Sequence, residues 1–504
     1  MKKIRLIFAL LLALALSAGC AADPAESPTP TGSTEIRFTD GKVTAAATDG
    51  ITIDGTTLTV TGAGTYLLSG SCADGRVKVE KRVRGVTLVL NGLTLTCENS
   101  APILCGKGGE VTIEAAAGTE NTLSDTSANN DETGSADAEN AVIKCKDGSR
   151  VVLCGSGALT LRANGKNGIK SSSTTQDGEA SLTIRDLTLT IDAPVNDAIN
   201  AEAALTVESG TLTLSTGDDA LHCDYTLNIG AAGTGGPRIT VTSCYEGLEG
   251  AAVNICSGSI DIHSADDCIN AANADLTGFS YQLNISGGTV TARSDSGDGF
   301  DSNGDLTISG GNVTVWTANA ADNEPLDADG TVTVSGGTVL AAGGSGGMGM
   351  SLAAAQPCVI FTGSESAGGM NMPGPATLGG ASLLTQGTAF TVASADGTVL
   401  YSGEAVYNAS FLFFSSGDLS DGESCTLSAG EVQTVSAAQT GTVRTGMGSR
   451  GDGNIDGMGG MGGQRPDGAT PPSGGFNGQR PDGTTPPEKP TGTPPQTDPG
   501  GTTA

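Results

Sequence analysis

The sequence predicts an all-β protein, a right-handed parallel β-helix followed by a small β segment and a disordered Gly/Pro-rich tail. Three observations predict it. A four-residue phrase returns along the middle of the chain every 21 to 31 residues. Between its copies lie short apolar-polar-apolar triplets, split by glycine or a small polar residue. No stretch of this region carries a helical apolar period.

The phrase runs acidic or polar, small, aliphatic or aromatic, then polar. Its copies are Asn167-Gly168-Ile169-Lys170, Asp197-Ala198-Ile199-Asn200, Asp219-Ala220-Leu221-His222, Glu246-Gly247-Leu248-Glu249, Asp267-Cys268-Ile269-Asn270, Asp298-Gly299-Phe300-Asp301 and Glu324-Pro325-Leu326-Asp327. Measured between the apolar members, the steps are 30, 22, 27, 21, 31 and 26 residues. A fixed phrase at such spacing marks a solenoid, in which each rung buries its inner face only against its neighbours. Ile169, Ile199, Leu221, Leu248, Ile269, Phe300 and Leu326 are therefore expected to share one interior column.

The triplets supply the strands. Leu205-Thr206-Val207 with Leu212-Thr213-Leu214, Val253-Asn254-Ile255 with Ile260-Asp261-Ile262, and Leu306-Thr307-Ile308 with Val313-Thr314-Val315 each read as two half-buried strands. With the phrase itself they make three strands per rung. A sandwich would need hairpin turns and no long-range period, so the repeat argues against it. Earlier strands at 86–90, 93–95, 111–113 and 151–153 continue the theme, and residues 121–140 read as a polar surface insertion. The coil is assigned to residues 35–350, ending in a Gly/Met stretch at 343–350. A second β segment covers 351–440, with strands near 389–392, 398–401 and 411–414. Residues 441–504 are low in complexity and contain a tandem 15-residue offset, Gln464-Arg465-Pro466-Asp467-Gly468 and Gln479-Arg480-Pro481-Asp482-Gly483. The Arg450-Gly451-Asp452 tripeptide there is read as coincidence.

The start of the chain reads as an export signal over residues 1–19. Lys2, Lys3 and Arg5 precede an apolar run too short to span a bilayer. Leu16-Ser17-Ala18-Gly19-Cys20 resembles a lipobox, which makes Cys20 the expected lipidation site. Ser17 stands where an aliphatic residue is usual. Residues 20–34 then form a flexible tether. The protein is expected to be exported, and either lipid-anchored at the outer face of the cytoplasmic membrane or secreted.

The formal net charge of −30 becomes −33 once those three cationic residues are removed. With no basic patch to neutralise phosphates, nucleic acid and anionic lipid are excluded as partners. Of the 12 cysteines, 11 remain if Cys20 is lipidated, so at least one is unpaired in a monomer, the expected state. No C-x-x-C spacing occurs. Cys105, Cys145, Cys223, Cys256 and Cys268 sit beside apolar residues and read as small interior residues, with a few disulfides left open.

The chemistry is expected in the acids of the repeat. Between residues 190 and 330 only Arg238 and Arg293 oppose them, and there is no lysine. Asp197, Asp219, Glu246, Asp267, Asp298 and Glu324 occupy the first position of the phrase; Glu249, Asp301 and Asp327 occupy the second, alternating with Asn200, His222 and Asn270. Rungs lie about 4.8 Å apart, so stacked carboxylates repel. A calcium ion, with ligands at about 2.3–2.6 Å, can bridge oxygens of two rungs. Oxygen ligands without a Cys/His cluster favour Ca2+ over zinc or copper. A solvated acidic edge is the alternative. Asp218 and Asp266 double two first positions, but too many carboxylates are present to single out a glycosidase pair. His263, on a strand next to Ile262, reads as structural.

These phrases, together with Gly64-Thr65-Tyr66-Leu67-Leu68-Ser69-Gly70, Leu88-Val89-Leu90-Asn91-Gly92, Gly118-Thr119-Glu120-Asn121-Thr122-Leu123 and Asp396-Gly397-Thr398-Val399-Leu400, resemble the carbohydrate-binding β-helix proteins of clostridia and related bacteria. The resemblance runs from about residue 35 to residue 438. It implies a pectate-lyase-like coil, bound calcium and binding of cell-wall polysaccharide, cellulose or polygalacturonate, without established catalysis. Trp316 is the only tryptophan and aromatics are 3% of residues, so sugar-stacking platforms are scarce and acidic polysaccharide held through calcium is favoured. A calcium-dependent lyase, with Arg293 as the best base ahead of Arg238 and Lys170, and an adhesin or spacer are the other classes. Arg293 reads more simply as a salt-bridge partner.

Overall fold

The computed structural model describes residues 32–173, 180–273, 276, 278–320, 323–344, 351–363 and 382–444. The export signal, Cys20, most of the tether, residues 345–350 of the Gly/Met stretch and the tail from 445 lie outside the described residues. The described residues form strands and turns and no helix. No helix is long and apolar enough to cross a membrane.

The strands follow from alternation. In Glu110–Ala115 and Thr188–Ala193 every second side chain is buried, and the outward positions carry threonine and charge. Each strand then pairs in parallel with the strand three places further on: Ala141–Cys145 with Asn167–Ser171, Arg150–Cys154 with Ser181–Ile184, and Ala158–Arg162 with Thr188–Ala193. Three strands therefore make one rung. The pairings join into one 34-stranded sheet.

Register puts like on like. Ile169 pairs with Ile199, Ile199 with Leu221, Leu221 with Leu248, Leu248 with Ile269 and Ile269 with Phe300, and an isolated bridge joins Phe300 to Leu326. All seven are at most 1% exposed, so the interior column is as the period predicts. Full burial of each such side chain contributes about 1.5–3 kcal/mol. Outside, Asn284 donates to Asn254 and Asn254 to Asn228, each at 3.1 Å, an amide ladder that links three rungs.

The small second residue of the phrase has a steric cause. A Cβ at Gly247 would meet the Cys268 carbonyl at 2.2 Å, and one at Gly299 would meet Val315 Cγ1 at 2.1 Å. At these two glycines the backbone enters its strand too close to its neighbours for a side chain; Ala198, Ala220, Cys268 and Pro325 hold the same position in other rungs.

Both ends of the coil are covered. Two antiparallel pairs, Thr34–Thr39 with Lys42–Ala45 and Ile51–Asp54 with Thr57–Val60, start it. At the far end Ser351–Thr362 pairs in parallel with Val332–Val334, so the coil's pairing continues past residue 350. The same strand then pairs antiparallel with Phe411–Ser415 and Gln439–Arg444. A 4-stranded sheet of Ala389–Ala393, Val399–Glu404, Ser424–Ala429 and Val432–Ala437 closes over a second core.

Two sequence expectations need correction, on residues 121–140 and on Cys256. Residues 121–140 are not simply a surface loop: Glu120–Asp125 is a strand, and Asn121, Asp125 and Asn129 are buried. Asn129 donates to Asp125 and to the Ala141 carbonyl and accepts from the amides of Glu139 and Asn140, so a polar network replaces apolar packing. Cys105, Cys145, Cys223 and Cys268 are interior, but Cys256 follows its strand into a corner and is partly exposed. Trp316 is buried between the coil and the second core.

Candidate functional site

The inward column Ile169 to Leu326 fixes what lies on either side of it. Each strand alternates, so the residue after each column member faces outward. Register therefore stacks Lys144, Lys170, Asn200, His222, Glu249, Asn270 and Asp301 on one outer face, with Asp327 following the Phe300–Leu326 bridge. This face begins with two lysines and ends with Asp301 and Asp327, with His222 and Glu249 set between the asparagines Asn200 and Asn270.

The first-position acids are more buried than a solvated edge requires: Asp197, Asp219 and Glu246 are 3%, 6% and 7% exposed. Three of the six turn onto the backbone of the next rung. Asp197 Oδ1 accepts the Asp219 amide at 3.2 Å, Asp267 Oδ1 accepts the Asp298 amide at 2.7 Å, and Asp298 Oδ1 accepts the Glu324 amide at 2.5 Å. At these three steps one rung is hydrogen-bonded to the next by an acid as well as by the ladder.

Two groups draw together. Asp298, Asp301 and Asp327 place ligand oxygens within 4.8 Å of one another. Burial, and then the charges of Asp301, Asp327 and Glu324, push the Asp298 carboxyl up to about 8 against a hydrogen bond that opposes them. Burial and Asp327 push Asp301 up to about 6. Asp267, raised by burial and by Asp266 and Asp298, stands at about 9. Such carboxyls are short of positive charge.

The second group is Asp219, His222 and Glu249. Asp219 Oδ2 lies 3.0 Å and Glu249 Oε2 2.8 Å from His222 Nδ1, while His222 Nε2 lies 3.1 Å from Asp224 Oδ1. Burial opposes a charged imidazole here, but Asp219, Asp224 and Glu249 outweigh it and hold the His222 pKa well above its usual value. This group corrects the oxygen-only expectation: one of the two sets includes a ring nitrogen.

Of the nine acids read from the sequence, Asp298, Asp301 and Asp327 form one group and Asp219 and Glu249 belong to the other. Asp197 receives the Asn200 amide at 2.7 Å and Glu246 the Asn270 amide at 3.2 Å. Asp267 and Glu324 join neither group. Asn200 Oδ1 and Asn270 Oδ1 are buried with no hydrogen-bond partner among the described residues. His222, Asp224 and the two asparagines are what the sequence reading left out. The phrase already placed His222 and Asn270 in register with Glu249 and Asp301, which was the available signal.

The basic residues lie elsewhere. Arg293 pairs with His263 and Trp316 on a different strand column, and donates to Asp261 at 2.5 Å. Asp261 is its partner, rather than the Asp295 and Asp298 near it in sequence. His263 is exposed and lies 3.1 Å from Asp295. Arg238 is on the strand between Thr211 and Ser259. Lys170 does share the outer face, and pairs with Glu202 at 3.3 Å. Burial, then the Asp266 carboxylate, push the Tyr245 hydroxyl above its usual pKa, which gives Asp266 a structural occupation.

A repetitive all-β protein with one strongly acidic face is the class that fold and site define. A family model described as carbohydrate-binding domain-containing protein matches residues 54–347 and 234–422, and the chain belongs to that family. A relative from Acetivibrio thermocellus, with the same description, is 32% identical over 190 residues, which span 36% of this chain and 65% of that relative. A solved structure described as a polysaccharide lyase-like protein from C. thermocellum, in its gadolinium derivative, is similar at 25% identity and a TM-score of 0.33, over 61% of this chain and 93% of that one.

Proposed function

We propose that this protein is a calcium-dependent binder of cell-wall polysaccharide, displayed at the cell surface through lipidated Cys20 and built on a right-handed parallel β-helix of pectate-lyase type. It works as a monomer and without catalysis. The observation that carries the calcium reading is the Asp298, Asp301 and Asp327 group. Oxygens within 4.8 Å of one another can share one ion whose ligand distance is about 2.3–2.6 Å. Carboxyls raised by burial and by one another gain most from a divalent cation, and the partnerless Asn270 Oδ1 lies one rung away from Asp301. These residues would hold the ion, and the ion would supply positive charge on a face that otherwise repels an anionic chain.

Family membership supports carbohydrate as the partner. Against lyase chemistry, which needs a base beside the metal, Arg293 is engaged with Asp261 and Lys170 with Glu202. The test is calorimetric titration against polygalacturonate and cello-oligosaccharides, with calcium and then with chelator. Binding of polygalacturonate that needs calcium is expected. Binding unchanged by chelator would remove calcium from the reading, and no binding to any glycan would remove the function.

A further inference from the structure

Beside the acidic face, one corner of the coil departs from its neighbours. The link between the first and second strands of a rung is two residues long after Ile199–Ala201 and after Phe300–Ser302, before Ala204–Val207 and Asp305–Ile308. After Ile269–Ala271 it is ten residues long, 272 to 281, before Gln282–Ile285. Its described residues reach back across a whole rung. Asn273 Nδ2 donates to the Asp224 carbonyl at 2.9 Å, and the Phe279 ring meets the Tyr225 ring edge-on with centroids 6.4 Å apart. The rung crossed is small: register sets Ala251 beside Asp224 and Tyr225, with Glu202 and Ala203 on their other side. Tyr281 closes the row at 5.7 Å from Phe279, and its hydroxyl donates to the carbonyls of Asn273 and Leu276 at 2.7 and 2.9 Å.

In a chain with 3% aromatics, three partly exposed rings in one row are a concentration that core packing does not require. Tyr281 has the structural task of holding the link. Tyr225 and Phe279 meet only through the edges of their rings, and Tyr225 directly follows Asp224, whose carboxylate lies 3.1 Å from His222. A ring face beside a carboxylate is what a pyranose needs: its axial C–H face packs on the ring while its equatorial hydroxyls donate to the oxygens.

The geometry points to Tyr225 and Phe279 as the sugar-stacking subsite of this protein, with Asp224 accepting sugar hydroxyls. The inference rests on the polysaccharide-binding reading and gives it a place and a substrate form. Successive rings are inclined at 61° and 54°, so they form a cradle and not a plane. A flat crystalline cellulose surface would touch one ring at a time; a single soluble chain can follow the bend.

The test uses Tyr225→Ala, Phe279→Ala and Phe279→Trp in the full chain, titrated with polygalacturonate and cellohexaose in calcium, alongside pull-down on microcrystalline cellulose. The alanine variants are expected to lose at least about tenfold in affinity for the soluble chain, with calcium affinity unchanged. Phe279→Trp should restore it. If Phe279→Ala melts early, Phe279→Leu keeps the bulk and removes the π face, and should lose affinity alike. Variants that bind soluble chains like the wild type overturn the cradle while leaving polysaccharide binding intact. Equal wild-type binding to crystalline cellulose overturns the single-chain form. A wild type that binds no glycan overturns the underlying reading and the subsite with it.

Discussion

Asp267 Oδ1 accepts the backbone amide of Asp298 at 2.7 Å, so the first acid of one rung holds the first acid of the next. Asp197 does the same for Asp219, and Asp298 for Glu324. A repeating aspartate at a rung's entry thus has a local reason that involves no ligand: it satisfies an amide that the turn would otherwise leave open. It also brings carboxyls into crowded, poorly solvated company, and that is the origin of their raised pKa values.

The consequence at Asp267 can be measured. With its carboxyl raised to about 9, it is largely protonated at neutral pH in the absence of metal. Asp267→Asn keeps an acceptor oxygen and is expected to shift stability by less than about 1 kcal/mol in chelator. Asp267→Ala removes the acceptor and should cost about 1–3 kcal/mol, the penalty of an unsatisfied buried donor. Thermal melts of both in chelator decide it; equal loss in the two variants would assign the cost to packing.

The interior column gives a second measurement. Leu248 is fully buried between Leu221 and Ile269. Leu248→Ala should cost about 2–5 kcal/mol through the lost contacts and the cavity. Leu248→Asp should unfold the coil, because a charge without a partner enters a dry core. Circular dichroism at 25 °C reads the difference. A cooperatively folded Leu248→Asp would mean that the rung can slip its register.

Much of this fold was legible because period is a backbone property. Seven apolar markers spaced 21 to 31 residues apart mapped onto one column, since every rung must return to the same register whatever its loop length. Side-chain encounters between rungs were less legible. Asp224 and Asn273 are 49 residues apart, and only the ten-residue link brings them together. Likewise Arg293 looked close to Asp298 in sequence, but belongs to another strand column and meets Asp261. The acids were read as a ladder bridged by calcium, with a solvated edge as the alternative. The amide bonds that bury them depend on a turn geometry that composition does not encode.

If the Asp298 group holds calcium as proposed, the ion competes there with protons, and the shifts fix the sign of the competition. Asp298 and Asp301 have folded pKa values of about 8 and about 6, above the usual carboxylate range. Where the folded pKa is raised, the unfolded chain binds fewer protons. In chelator, stability is then greatest below about pH 4 as far as these groups decide it, and falls as pH rises through 6 and 8. Calcium requires the ionised forms, so its stabilising shift should grow over the same window. Melting curves at pH 5 and pH 8.5, with calcium and with chelator, should show a larger calcium shift at pH 8.5; an equal shift would place the ion elsewhere.

Removing the ligands tests the same site directly. An ion at a hundred times its Kd stabilises by about 2.7 kcal/mol if only the folded chain binds it. Asp298→Asn with Asp301→Asn should abolish that increment and, at pH 8.5 in chelator, raise the melting temperature, because at that pH it removes two charges that burial disfavours. The Asp219, His222 and Glu249 group is left untouched, so calcium stabilisation surviving in the double variant would assign the ion to that second group.

Catalysis is the last matter the geometry bears on. Abstracting the proton beside a uronate carboxylate needs a base within reach of a metal-bound substrate. Arg293, the best base by sequence, is held by Asp261 on a separate column, and both side chains are substantially exposed, at 35% and 47%. An exposed pair of this kind contributes about 0–1 kcal/mol, so Arg293→Ala should barely move the melting temperature. It should also leave polygalacturonate affinity within about twofold, since Arg293 lies off the acidic face. Lys170 lies on that face, but four rungs before Asn270, the residue next to Asp301, and paired with Glu202. Incubated with calcium and polygalacturonate, the wild type is therefore expected to yield no unsaturated product absorbing in the ultraviolet. Turnover lost in Arg293→Ala would make the protein a lyase with a base that moves on binding. Turnover lost in Lys170→Ala would place the chemistry at the cationic end of the same face, with the Asp219, His222 and Glu249 group as its nearest partner.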